Sequence, residues 1–148
     1  MPASDVLTLL AVLFASAFTS ATLLPGTSEG MLIGLLGMQL VPVVLAIGVA
    51  TTGNTLGSLV NWGIGRFLDR FRHHPRFPAS DAAMARAQGW YDRYGLWSLL
   101  ASWVPVIGDP LTVVAGLMRA PVVPFVLIVA FAKALRYAII AASVTAAL

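Results

Sequence analysis

The sequence predicts an all-α integral membrane protein. It has two inverted repeats, each a re-entrant helical hairpin plus a transmembrane helix, joined by a cytoplasmic amphipathic segment. Three observations carry that reading. Of the 148 residues, 59% are hydrophobic and only 10% charged, against about 25% charged in a soluble domain, and mean hydropathy is +0.88. Six of the nine basic residues fall between Arg66 and Arg93. A Pro-x-x-x-acid break occurs twice, as Pro25 to Glu29 and as Pro105 to Asp109. The chain reads as one membrane domain over 1–148, with repeat one at about 6–65, a basic linker at 66–93 and repeat two at about 94–148.

In the first repeat, Glu29 is the only charged residue from Val6 to Gly65. Residues 6–24 are apolar, Pro25-Gly26-Thr27-Ser28 interrupts, and 30–40 are apolar again. The second run is too short to cross a bilayer, which takes about 20 residues. Arms of about 10 residues reach about 15 Å as helices, half of the hydrocarbon core. Two such arms and a break make a re-entrant hairpin, with Pro25 and Gly26 at the first tip. The rival reading takes 6–24 as an ordinary spanning helix. After Pro42, residues 43–65 are long enough to span. They carry polar Thr51, Thr52, Asn54 and Asn61, and small Gly53, Gly57 and Gly65 that permit close helix contact. The N-terminus lacks the basic flank of a signal peptide, although Ala15-Ser16-Ala17 resembles a small-residue cleavage site.

The linker is polar and turn-rich. Short basic loops stay on the cytoplasmic side, so 66–93 reads as cytoplasmic, and topology explains its charge better than nucleic-acid contact. Ser80 or Asp81 caps a surface helix over 81–93. Trp90, Tyr91, Tyr94 and Trp97 follow, where aromatic rings favour the membrane interface. His73-His74 has no third ligand at a recognisable spacing, so no metal is expected.

The second repeat has the same plan. Apolar 96–104 is followed by Pro105, Gly108, Asp109 and Pro110 in a second break, then by apolar 111–118. A shift of 80 positions sets Pro25 on Pro105, Glu29 on Asp109 and Met38 on Met118, and brings Pro42 within one position of the counterpart of Pro121. The last run, 122–148, can span, yet it carries Lys133 and Arg136 near its middle. With 66–93 inside, the first hairpin enters from the outer face, where residues 1–42 hold no Lys or Arg, and the second from the cytoplasmic face.

The candidate chemistry lies in the buried charges. Glu29 and Asp109 would meet near the midplane, where a carboxyl group is easier to desolvate with its proton on, so they are candidate proton carriers or cation ligands. The bland alternative is a carboxylate that caps the helix after each break. Lys133 and Arg136, three residues apart, share a helix face. They either neutralise an acid or hold an anionic head group. Asn54 and Asn61, two turns apart, serve as packing contacts or substrate contacts. There are no cysteines, and neither a phosphate loop nor a Ser-His-Asp pattern is found, so no enzyme activity, catalytic residue or cofactor is expected.

The chain resembles the DedA family, also called the SNARE-associated or VTT-domain family, and within it the small YqaA-like branch. The resemblance rests on "TSEGML" in the first hairpin, "GNTLGSLVNWGIGR" at 53–66, "RYGLWSLLASWVPVIGDPLTVVAGLMR" at 93–119 and "FAKALRY" at 131–137. It implies a multi-pass protein of the bacterial inner membrane with two opposed re-entrant hairpins. Such a protein would move phospholipid or polyprenyl-phosphate carriers, with proton coupling, and act in membrane-stress tolerance. By position, Glu29 matches the family's first-hairpin acid, and Gly53, Gly57, Gly65 and Arg66 match its glycine-rich span and terminal arginine. The sequence departs from better-studied members in the second hairpin. Ser102 and Trp103 stand at the first of two family arginines and Gly108 at or near the second, while Asp109 adds negative charge. The expected function is a transporter or lipid translocase, and the alternative is a membrane scaffold with structural ion pairs. Membrane lipids are the expected partners, with a lipid phosphate or a proton or cation as substrate, no nucleic acid, and a homo-oligomer left open.

Overall fold

No glycine or proline interrupts residues 3–22, and they form one helix, α1 (Ala3–Thr22), in the computed structural model of the chain. The structure describes residues 2–22, 27–67, 81–103 and 108–148. The remaining elements are α2 (Thr27–Gly37), α3 (Val43–Phe67), α4 (Asp81–Tyr94), a 3₁₀ helix (Gly95–Trp103), α5 (Gly108–Leu117) and α6 (Val122–Ala147). All described elements are helical, in keeping with an all-α integral membrane protein. Among the described residues, Ala3–Ala21, Val43–Phe67 and Val122–Ala147 are long and apolar enough to cross a bilayer.

Several boundaries differ from the sequence reading. With 20 residues, α1 reaches about 30 Å, twice the length expected of a hairpin arm, because nothing in it breaks the helix. Thr27 and Ser28 begin α2 and are not part of the break. Gly108 and Pro110 likewise lie in the first turn of α5, where a proline loses no helical hydrogen bond. The predicted tip residues Pro25, Gly26 and Pro105, and the histidines of the linker, lie outside the described residues. The surface helix starts at Asp81 as predicted. It ends at Gly95, whose φ of 62° is the left-handed conformation that glycine adopts without steric cost.

The 80-residue correspondence recurs in backbone geometry. At the end of α2, Gln39 N–H donates to Leu36 O at 3.0 Å and Leu40 N–H to Leu35 O at 3.0 Å. At the end of α5, Arg119 N–H donates to Gly116 O at 3.0 Å and Ala120 N–H to Ala115 O at 2.9 Å. Both are Schellman caps, which satisfy the last free carbonyls of a helix. Both place a non-glycine residue in the left-handed region, Gln39 at φ 55° and Arg119 at φ 58°. A proline follows each cap and opens the next helix: Ala46 N–H donates to Pro42 O, and Phe125 N–H to Pro121 O.

The chain divides into two packed units. The first contains residues up to Gly57 together with Lys133–Leu148, and the second contains Ser58–Ala132. In the first, α2 lies back along α1, and Leu10, Leu13, Ala17, Leu32, Leu35, Leu36, Ala46, Ala50 and Tyr137 form one core. Close approach of α3 to α1 depends on two glycines. A Cβ on Gly53 would stand 2.6 Å from Phe14 O, and one on Gly57 would stand 2.6 Å from Phe18 O. In the second unit, α3 meets α5 through Gly65 and Gly116, each of which faces the other helix's backbone. Trp62 Nε1 donates to Ala120 O at 3.0 Å, and Leu99, Ala115, Phe125 and Val129 are buried nearby.

Candidate functional site

The first turn of α2 presents Ser28 and Glu29 toward Arg136 and Tyr137 of α6, within the first unit. Glu29 Oε1 forms an ion pair with Arg136 Nη2. The two side chains retain only 15% and 14% exposure, so the charges neutralise each other with little water present. An acid in the first turn also meets the positive end of the helix dipole. The sequence reading named Glu29 and Arg136 as one of several pairings, and the structure brings these two together. Beside the pair lies a chain of hydroxyls. Ser28 Oγ donates to Ser20 Oγ at 3.2 Å and lies 2.8 Å from Tyr137 Oη. A serine has one hydroxyl proton, so with Ser28 donating to Ser20, Tyr137 donates to Ser28. All three residues are buried.

The other predicted residues are placed as follows. Lys133 is 2% exposed and has an interaction of its own. Asp109 stands in the first turn of α5, in the second unit, as Glu29 does in α2. Its side chain lies outside the described residues. Asn54 Nδ2 donates to Ala17 O of α1 at 3.0 Å, and Asn61 Nδ2 to Thr112 Oγ1 of α5 at 3.2 Å. The two asparagines therefore fasten α3 to a different helix in each unit. Ser102, where the family resemblance calls for arginine, is buried, and its hydroxyl has no partner among the described residues.

Sequence reasoning missed Ser20, Ser28, Tyr137 and Gly116. Ser28 and Tyr137 each adjoin a charged residue that was singled out, which was the available signal. Gly116 could have been found as a small residue matched to Gly65 across a helix crossing. The aromatic cluster divides: Trp90, Tyr94 and Trp97 line an exposed hollow of about 300 Å³, whereas Tyr91 packs inward against the core. Burial raises the Tyr91 phenol above its ordinary value. In the first unit, an open apolar groove of about 630 Å³ is lined by Phe14, Pro42, Val44, Leu45, Val49 and Thr52.

Three helices apolar and long enough to span, with a largely shielded ion pair in the first unit, are the marks of a polytopic membrane protein. The chain belongs to the VTT-domain family, whose model matches residues 3–146. It is 42% identical to the inner membrane protein YqaA of Escherichia coli (strain K12) over 140 residues, covering 95% of this chain and 93% of that one. It is equally similar to the YqaA of Shigella flexneri. An uncharacterised protein of Haemophilus influenzae is 38% identical over 135 residues, 86% of this chain and 82% of the relative. No solved structure matches the chain. With these relatives and three membrane-capable helices, this is a multi-pass inner-membrane protein.

Proposed function

We propose that the protein is a transporter or lipid translocase, not an enzyme, that moves a lipid phosphate or another small anion together with a proton. The observation that carries this reading is the Glu29–Arg136 pair. A guanidinium presents a planar fork of donors that suits a phosphate as well as a carboxylate. An incoming phosphate would compete with Glu29 for Arg136. The displaced carboxylate would then be left without a counter-ion in an apolar setting and would take up a proton. Anion and proton thus enter as one neutral load, and re-forming the ion pair expels both. The hydrogen bond between Ser28 and Tyr137, the residues next to Glu29 and Arg136 in sequence, holds α2 against α6 beside the pair. The apolar groove along Phe14, Leu45 and Val49 suits an acyl chain.

In this reading the 3₁₀ helix with α5 is one re-entrant hairpin of an inverted repeat and α1–α2 is its counterpart, with α1 an arm long enough to span. The two identical helix caps, 80 residues apart, support the repeat. The basic segment 66–93 faces the cytoplasm, in line with its arginines. The test is lipid movement in liposomes that hold the purified protein and a fluorescent phosphatidic acid, with dithionite quenching to report the outer leaflet. The wild type should move the probe under an imposed pH gradient, and Glu29→Gln and Arg136→Gln should abolish movement while remaining inserted. Both variants at the full wild-type rate would refute the mechanism. Folded wild-type protein no faster than empty vesicles would favour the scaffold reading.

A further inference from the structure

The polar residues of α3 pose a question that the ion pair does not answer. Thr51, Asn54, Thr55 and Ser58 follow the spacing i, i+3, i+4, i+7, which places them on one face of a helix. They occupy the middle of α3, Val43–Phe67, and so the midplane of a spanning segment. Asn54 is 1% exposed, Thr55 7% and Ser58 0%. Thr51 Oγ1, Asn54 Oδ1, Thr55 Oγ1 and Ser58 Oγ are buried without a hydrogen-bond partner among the described residues.

Two facts make this more than incidental. A hydroxyl in a helix has a partner always within reach, the carbonyl four residues back. Thr8, Thr19, Thr52, Ser143 and Thr145 all use it. Thr51, Thr55 and Ser58 have the same option and do not take it, so their hydroxyls are directed elsewhere. Asn54 is pinned by its amide nitrogen to Ala17 O, which leaves its oxygen fixed in place as an acceptor. In hydrocarbon an unsatisfied polar group is costly, so four of them on one face call for a partner that the described residues do not supply. Buried polar groups without protein partners are the usual sites of ordered water.

We infer that this face of α3 is a water-binding seam: a file of bound water at mid-membrane depth, held by three hydroxyls and one amide oxygen. A file of water bonded to hydroxyls that can both donate and accept conducts protons along the helix. The seam does not depend on the transport reading, and its test needs no substrate.

The cysteine-free chain permits a direct measurement. Thr51→Cys, Thr55→Cys and Ser58→Cys are near-isosteric, and Leu56→Cys and Val60→Cys place thiols on the outward face of the same helix. The thiolate attacks the sulfenyl sulfur of a methanethiosulfonate reagent and displaces methanesulfinate, and that thiolate forms in water and not in apolar surroundings. In native membranes the three seam thiols should react an order of magnitude faster than the two outward ones. As a second readout, Thr55→Val should lower the unfolding temperature, because it removes a ligand from bound water. A dry orphan hydroxyl would behave oppositely, since its removal relieves an unpaired polar group. Seam thiols no faster than the outward pair, or a Thr55→Val protein that melts higher than the wild type, would overturn the inference.

Discussion

Glycines 65 and 63 lie two residues apart on α3 and should respond to alanine in opposite ways. A Cβ on Gly65 would land on the Val113 carbonyl oxygen and stand 2.9 Å from Leu117 N, whereas a Cβ on Gly63 would meet nothing within 4 Å. The obstruction at Gly65 is backbone, so no side chain can turn aside, and α3 and α5 must separate. Forcing extra volume into a packed contact costs about 1–3 kcal/mol, and a rigid obstacle puts Gly65→Ala at the upper end. Both variants gain the helix propensity of alanine, about 1 kcal/mol. Gly65→Ala should therefore lose about 2 kcal/mol and Gly63→Ala gain up to about 1 kcal/mol. For a chain of this size that difference of about 3 kcal/mol is a gap of about 6–12 °C in unfolding temperature, measured by thermal denaturation in detergent. Gly116→Ala should match Gly65→Ala, because its Cβ would fall on Trp62 O. Equal melting of Gly63→Ala and Gly65→Ala would refute the close crossing of α3 and α5.

The ion pair should show strong coupling. Removing one partner of a buried pair costs about 3–5 kcal/mol, and partial exposure of Glu29 and Arg136 points to the lower figure. The double variant Glu29→Gln/Arg136→Gln should lose less than the sum of the two by about 0.5–3 kcal/mol; strict additivity in unfolding experiments would contradict the pairing. Tyr91 gives a pH signature. Its phenol is raised by burial, so the fold favours the neutral form. The stabilising contribution is intact below the ordinary value of about 10 and is lost as pH rises through the raised one. The unfolding temperature should fall at high pH, and Tyr91→Phe should flatten that fall.

Much of the helix order was legible from residues because prolines and apolar runs mark it: α3 and α6 begin just after Pro42 and Pro121, and α4 begins at Asp81. The length of α1 was less so: an arm of about 10 residues is what half a bilayer needs, yet no glycine or proline stops the helix within residues 3–22. Glu29 and Arg136 could be named from the sequence because an ionisable residue in an apolar run stands out. Their pairing depends on how α2 packs against α6, which spacing alone does not determine. The hydroxyls of Ser28 and Tyr137 were invisible for another reason. Serine and tyrosine cost little in an apolar helix, and only the 2.8 Å contact makes them part of the site. The glycines divide the same way: Gly53, Gly57 and Gly65 formed a readable series, and Gly116 gained meaning only from the backbone opposite it.

The central claim is that Glu29 exchanges its bond to Arg136 for a proton. Infrared difference spectroscopy of the protein in lipid tests it most directly, by comparing the wild type at neutral and acidic pH in the presence of phosphatidic acid. The account predicts a protonated-carboxyl C=O band that grows on acidification and is absent from Glu29→Gln. An identical carboxyl band in both proteins, across the pH range in which lipid moves, would show that the Glu29 proton takes no part.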